Sequence, residues 1–276
     1  MINTRPWIQR FISRCKSEPQ KEKLLIQSKE ICQPVLNYFN YSSPEELHYH
    51  LLQHGLFNPE DVSKLRSSFD FLQKNNVWEI IQSEYTQLQS YWNGPNVPIF
   101  IFPINERQEN LSEKTTKNGI AFKKSLFLFL SKQVNIQEVK ALLAHEYHHV
   151  CRLELFKKEL DLLSIKDVIV LEGLAEYAVK DIYGEEWNAP WTNRYSKEEM
   201  LSVWKKQFVG VLDQNSEEQK RLYLYGEPNT DIPRWIGYSI GFHIVNSFAE
   251  TNGPYSNSEL YSKSSGEIVS GSVFPT

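Results

Sequence analysis

Residues 141–152 read "ALLAHEYHHVCR". Three histidines and a glutamate within five positions pose the question that decides the fold: a metal site on a helix, or a polar stripe on one. An α-helix turns once in about 3.6 residues, so with His145 placed at about 0°, His149 falls near 40° and one turn further along. Both imidazoles can then reach one ion, and neutral imidazole nitrogens suit zinc at roughly 2.0–2.1 Å. Glu146 falls near 100°, beside that face, where a base must lie to take a proton from a water. Leu142, Leu153, Val139 and Val150 bracket Glu146 on this projection. Its carboxylate is therefore expected inside a buried arc, where even a neutral polar group left unbonded costs about 2–7 kcal/mol and a cation would compensate. His148, near −60°, is expected to be a bystander in a surrounding or surface position rather than a ligand.

A pair of histidines needs a third ligand. The segment "VLEGLAEYAV" offers Glu172 on one stripe with Val168, Ala175 and Val179, a second acid on an apolar face. Twenty-two residues lie between His149 and Glu172, enough to end one helix, turn, and bring a second back beside it. Gly173 and Ala175 are small and would let those helices approach closely. Glu176, one turn past Glu172, is placed to hold a ligating histidine, and reads equally well as a solvated surface acid. Arg152, near −20° over the histidine face, is a candidate partner for Glu176 or Glu172. His145, His149 and Glu172 form a three-ligand set for one zinc ion, leaving a position for water.

These residues resemble known proteins. "HEYHH" followed by "EGLAEY" is similar to the gluzincin peptidases, in which HExxH is followed on the next helix by a ligand glutamate. More closely, "LLAHEYHHVCRL", "LEGLAEYAV" and "PRWIGYSIGFHIV" resemble the YjaZ-like family of predicted zinc-dependent proteases, over about residues 90–275. The resemblance implies a zincin-like core and peptidase activity. Leu171 stands where the better-known gluzincin motif has Asn, which leaves the ligand intact but weakens any transfer of how those enzymes bind a substrate amine. By analogy with the downstream tyrosine of several gluzincins, Tyr238 is the candidate donor to a developing oxyanion. Gly237 and Gly241 flank it and leave room for backbone or substrate. The alternative reading of Tyr238 is a core aromatic with Phe242 and Val245. His243, about 140° from Tyr238 around the helix, cannot face the same point. Arg234, four residues before Tyr238, shares its face and could hold a substrate carboxylate or pair with Glu176. In zincins a sheet edge above the HExxH helix commonly pairs with substrate backbone, a role open to "GIAFKKSLFLFL". Lys123 and Lys124 in that stretch could equally guard a naked edge.

Composition excludes other classes. The 276 residues carry a net charge of −4 with 41% hydrophobic and 23% charged residues, and no long single-sign block points to nucleic acid or an anionic membrane. Cys15, Cys32 and Cys151 stand outside any CxxC pair and read as reduced thiols. The first 30 residues lack an apolar targeting core, and no stretch approaches the roughly 20 apolar residues of a membrane span. A soluble, cytoplasmic protein is expected.

The expected fold class is α+β, mostly α: a helical N-terminal region over 1–95 and a zincin-like catalytic domain over 96–276 with a small sheet. A strand is expected at about 97–103 and a strand or strand pair in 120–130. Helices are expected over 136–160, capped by Asn135 and Glu138; over 165–183, between Ser164 and Gly184; and from Pro233, in the first turn, to Gly253. A helical insertion occupies about 185–230, and the Ser-rich tail reads as short helices or loose chain. The functional reading is a zinc-dependent hydrolase acting on a peptide or protein substrate. A zinc-stabilised, non-catalytic binding or regulatory protein is the alternative, and a metal-free protein the third.

Overall fold

The computed structural model describes residues 1–16, 18–38, 41, 43–106, 116–157 and 160–274. Most of the polar stretch expected between the first two strands, 107–115, lies outside the described residues. The fold class is α+β, mostly α, with one three-stranded sheet among the described residues. The chain divides into two compact units, Met1–Val150 and Cys151–Thr276.

In the first unit, α1 (Arg5–Arg14) and α2 (Gln20–Gln27) lead through a π-helical stretch into α3 (Gln33–Val35). There follow α4 (Pro44–Gln53), α5 (Val62–Lys74) and α6 (Val77–Trp92). Local chemistry sets the boundaries. Ser43 accepts from Glu46 N–H ahead of Pro44 at α4, Asp61 caps α5, and Asn76 and Asn93 take left-handed φ values of 52° and 48° on either side of α6. The strands are β1 (Ile99–Pro103), β2 (Lys117–Phe122) and β3 (Ser125–Leu130), in the order β1-β3-β2. β1 runs parallel to β3, with Ile99 opposite Leu126. Both strands are buried at every residue, in keeping with the apolar runs 99–103 and 126–130; Ser125 is the one polar residue among them. β2 is half-buried and antiparallel to β3.

The N-terminal segment is stitched to the sheet. Ile2 N–H donates to Ile99 O at 3.0 Å, Thr4 Oγ1 donates to Ile101 O at 2.6 Å, and Trp78 Nε1 donates to Thr4 Oγ1 at 3.1 Å. Lys123 and Lys124 form the turn between β2 and β3, since Phe122 pairs with Ser125. They sit at the hairpin tip, not along the sheet edge, because the strand pair closes around them.

The second unit begins within α7 (Ile136–Phe156), followed by α8 (Ile165–Tyr183), α9 (Lys197–Val203), α10 (Glu217–Tyr225), α11 (Ile236–Asn252), α12 (Asn257–Ser262) and α13 (Ser265–Ser270). Ser164 and Asp167 form a full capping box at the start of α8, and Gly184 ends it at φ 101°, both as its sequence predicts. α8 and α11 cross backbone to backbone: a Cβ on Gly173 would strike Gly241 O, and one on Gly241 would strike Ile169 O. Gly173 and Gly241 therefore serve the approach of α8 to α11. Gly237 is filled in the same way by the backbone of Tyr223 and Leu224, so neither glycine beside Tyr238 leaves open space.

The stretch between α8 and α11 belongs to the core of this unit. Met200, Trp204 and Phe208 are buried with Ile169, Leu174, Ile240 and Ile244. Helix α11 starts at Ile236, three residues later than the position of Pro233 suggests. Trp235 precedes it at φ 64°, its N–H donating to Tyr225 O at 2.8 Å, and a bulky residue in that region halts helical propagation. Among the described residues no helix is long and apolar enough to cross a membrane.

At the C-terminal end of α4, His50 and the capping residue His54 stack with ring centroids 4.6 Å apart, and Asn118 of β2 donates to His54 O at 2.8 Å. Burial, with a smaller contribution from His50, pulls the His54 imidazole down to about 4. A histidine whose pKa is lowered on folding contributes stability that is complete above its unfolded value, near 6.5, and lost as pH falls towards 4. His54→Gln is predicted to flatten the pH dependence of unfolding between about pH 6.5 and 4 by on the order of 1–3 kcal/mol, measured by urea denaturation across that range.

Candidate metal centre

Helix α7 is fixed at its start by short-range bonds. Asn135 Oδ1 accepts from Gln137 N–H at 2.8 Å, and Glu138 Oε2 accepts from Asn135 N–H at 2.9 Å. Its rotation is set by the two middle residues of the motif. Tyr147 is fully buried, donates its hydroxyl to Pro95 O at 2.9 Å, and lies 5.0 Å from the Tyr85 ring. His148, only 1% exposed, meets Trp92 edge-on at 5.3 Å. It is a packed core residue rather than a surface one. This happens because α7 is covered on both faces, so the apolar arc read from the sequence describes only part of its burial.

With Tyr147 and His148 committed to that side, His145 and His149 turn the other way. Their Nε2 atoms are 3.0 Å apart and their rings nearly perpendicular at 88°. Two imidazole nitrogens on one tetrahedral ion with bonds of roughly 2.0–2.1 Å lie about 3.3 Å apart, close to the observed separation. His145, His149 and Glu172 each offer a ligand atom, and these atoms all lie within 4.8 Å of one another. The three could hold a metal ion, and the donor set of two imidazoles and a carboxylate fits one that takes N and O ligands.

Glu146 is 8% exposed. Gly119 of β2 sits against it: a Cβ at that position would lie 2.6 Å from Glu146 Oε1. The strand thus passes over the carboxylate at the one residue type that leaves it room.

The remaining candidates are more dispersed. Glu176 is 4% exposed and accepts from Asn188 Nδ2 and Ala189 N–H, each at 2.9 Å, tying α8 to the following loop. Arg152 sends Nη1 to Tyr261 O and to Lys263 O, and its guanidinium lies 4.4 Å from the Phe156 ring. Tyr238 is 8% exposed among the rings of Trp191, Tyr225 and Trp235, at 5.3–5.5 Å. Arg234 is exposed, 5.7 Å from the Trp235 ring. Because α11 begins at Ile236, Arg234 stands outside the helix and does not share a helical face with Tyr238. His243 donates Nε2 to Thr192 O at 2.9 Å, and burial holds its pKa below the usual value.

Residues 77–270 match the family model described as "Predicted Zn-dependent protease (DUF2268)". The chain belongs to this family. It is 36% identical over 203 residues to "Uncharacterized protein YjaZ" of Bacillus subtilis (strain 168), covering 72% of this chain and 76% of that protein. It is also 28% identical over 125 residues to "Uncharacterized protein YjfC" of the same organism, covering 41% of this chain and 40% of that one. No solved structure matches the chain.

The family match opens on the first residue of α6 and closes on the last of α13. It takes in Tyr85 and Trp92, the rings that seat Tyr147 and His148, as well as β2. The motif alone does not name those partners. Gly119 did carry a signal, since a glycine inside a strand pattern marks a close backbone approach.

Gly119→Ala is predicted to destabilise the protein by about 1–3 kcal/mol, because Glu146 or the strand must move. Gly266→Ala, where a Cβ meets nothing within 4 Å, is predicted to leave stability unchanged or raise it by up to about 1 kcal/mol. Denaturant unfolding of both variants checks the contrast.

Proposed function

We propose that the protein is a zinc-dependent hydrolase that cleaves peptide bonds, with one ion held by His145, His149 and Glu172. The observation that carries this reading is the convergence of those three ligand atoms, two from α7 and one from α8, within 4.8 Å of one another, with the buried Glu146 one residue from His145. When bound, the ion would acidify a water and polarise the carbonyl to be attacked.

Glu146 is the proposed general base, taking the proton from the attacking water and handing it to the departing nitrogen. Gly119 of β2 leaves the room that the Glu146 side chain occupies. β2 is an edge strand among the described residues, and we propose that an extended substrate adds to that edge through main-chain hydrogen bonds, which read no particular side chain. Tyr238 is proposed as the donor to the oxyanion, Arg234 as an outer contact for substrate, and Glu176 as the acid that steadies the ligand helix from the 188–189 side. We propose a zincin-like core over 96–276 and a cytoplasmic setting; the three cysteines are buried and form no disulfide among the described residues.

Glu146→Gln is predicted to retain zinc at one equivalent while peptide cleavage falls by roughly 10²–10⁴-fold. His145→Ala and Glu172→Ala are predicted to lose the metal. Elemental analysis beside a peptide-library digest measures both. Undiminished cleavage by Glu146→Gln would remove the proposed base. A wild type that cleaves nothing and unfolds on chelation would instead make the ion structural.

A further inference from the structure

Outside the metal centre, the Cys151–Thr276 unit contains a cavity of about 380 Å³, within the size range of small-molecule sites. Its apolar lining is Leu153, Phe156, Leu163 and Leu171, and Ser264, Ser265 and Gly266 line it as well. Arg152 lines it while only 5% exposed. Its Nη1 is occupied by the carbonyls of Tyr261 and Lys263. Among the described residues no group accepts from its Nε or Nη2, and no carboxylate lies within ion-pair distance of it. Burial lowers its pKa to about 10, with Asp167 opposing, so it stays charged at neutral pH. The remaining edge of the guanidinium is not sealed from solvent, so an anion entering the cavity can meet it.

The other charges at the cavity narrow the anion. Lys166 is paired to Asp213 at 2.8 Å, and Asp167 accepts from Ser164 N–H in the α8 cap. The two cations and two carboxylates of the lining, Arg152, Lys166, Asp167 and Asp213, sum to zero, so a monoanion leaves one net negative charge at the cavity and a dianion two, which disfavours the dianion. The leucines and Phe156 favour a short hydrocarbon body.

We propose that this cavity is a binding site for a small monocarboxylate with a short apolar body, its carboxylate forked by Nε and Nη2 of Arg152 and its body against Leu153, Phe156, Leu163 and Leu171. The carboxylate can belong to a free short-chain acid or to the C-terminus of a peptide. Planar, paired donors match a carboxylate in a way an ammonium cannot.

Calorimetric titration of the full chain with octanoate, with N-acetyl-leucine and its amide, and with inorganic phosphate tests the site. Octanoate or N-acetyl-leucine should saturate wild type with a Kd of roughly 0.1–1 mM, and the amide should not bind. Binding of octanoate alone identifies a free acid as the source; binding of N-acetyl-leucine identifies a peptide terminus. Arg152→Lys should weaken binding at least about tenfold. Gly266→Phe, placed where a Cβ meets no atom, should block the cavity without touching Arg152, and decides the matter if Arg152→Lys fails to fold. A carboxylate held by a metal ion instead would ignore Gly266→Phe. The proposal is overturned if neither carboxylate saturates by about 10 mM, if phosphate binds as tightly, or if binding is unchanged in Gly266→Phe.

Discussion

A carboxylate pressed under a strand is the constraint to which much of the first unit answers. Glu146 is nearly enclosed, and β2 passes so close that only a glycine fits at 119. For the strand to lie there, β3 must be buried on both sides and β1 must run beside it. For the helix to present Glu146 upward, its other side must be locked, and Tyr147 and His148 do this against Tyr85, Trp92 and the Pro95 carbonyl. Tyr147 and His148, which lie between His145 and His149, are therefore structural determinants of the direction in which those two imidazoles point. Tertiary packing, more than helix propensity, fixes the rotation of α7.

What could be read from the sequence was local in origin. Ser164, Gly184 and Gly253 mark helix ends because capping bonds and the break in helical backbone at a glycine involve atoms a few residues apart. The strands were legible because "IFIFP" and "SLFLFL" are too short and too apolar for exposed helices. The approach of His145 to His149 follows from helical geometry alone.

The rest depended on partners far along the chain. Gly173 announces a close approach but cannot say to what; the neighbour is the backbone of Gly241. Angular projection gave Arg152 a direction, yet its Nη1 is claimed by carbonyls more than 100 residues away. Of the two positions open to His148, the surface one is excluded, because a projection built on apolar residues assumes one covered face and α7 has two. The late start of α11 is the clearest case. Pro233 is a sound first-turn residue by its own chemistry, but Trp235 is drawn into a left-handed conformation by its bond to Tyr225 O and its packing on Trp191.

That packing has an optical consequence. Trp191 and Trp235 are stacked 5.1 Å apart with planes only 18° from parallel, and Tyr238 lies beside both. Two indoles held so closely and so nearly parallel form a coupled chromophore whose near-ultraviolet dichroism exists only while tertiary packing is fixed. The molecule carries a reporter at the entrance to α11, sensitive to motion of the segment that bears Tyr238 and needing no added label.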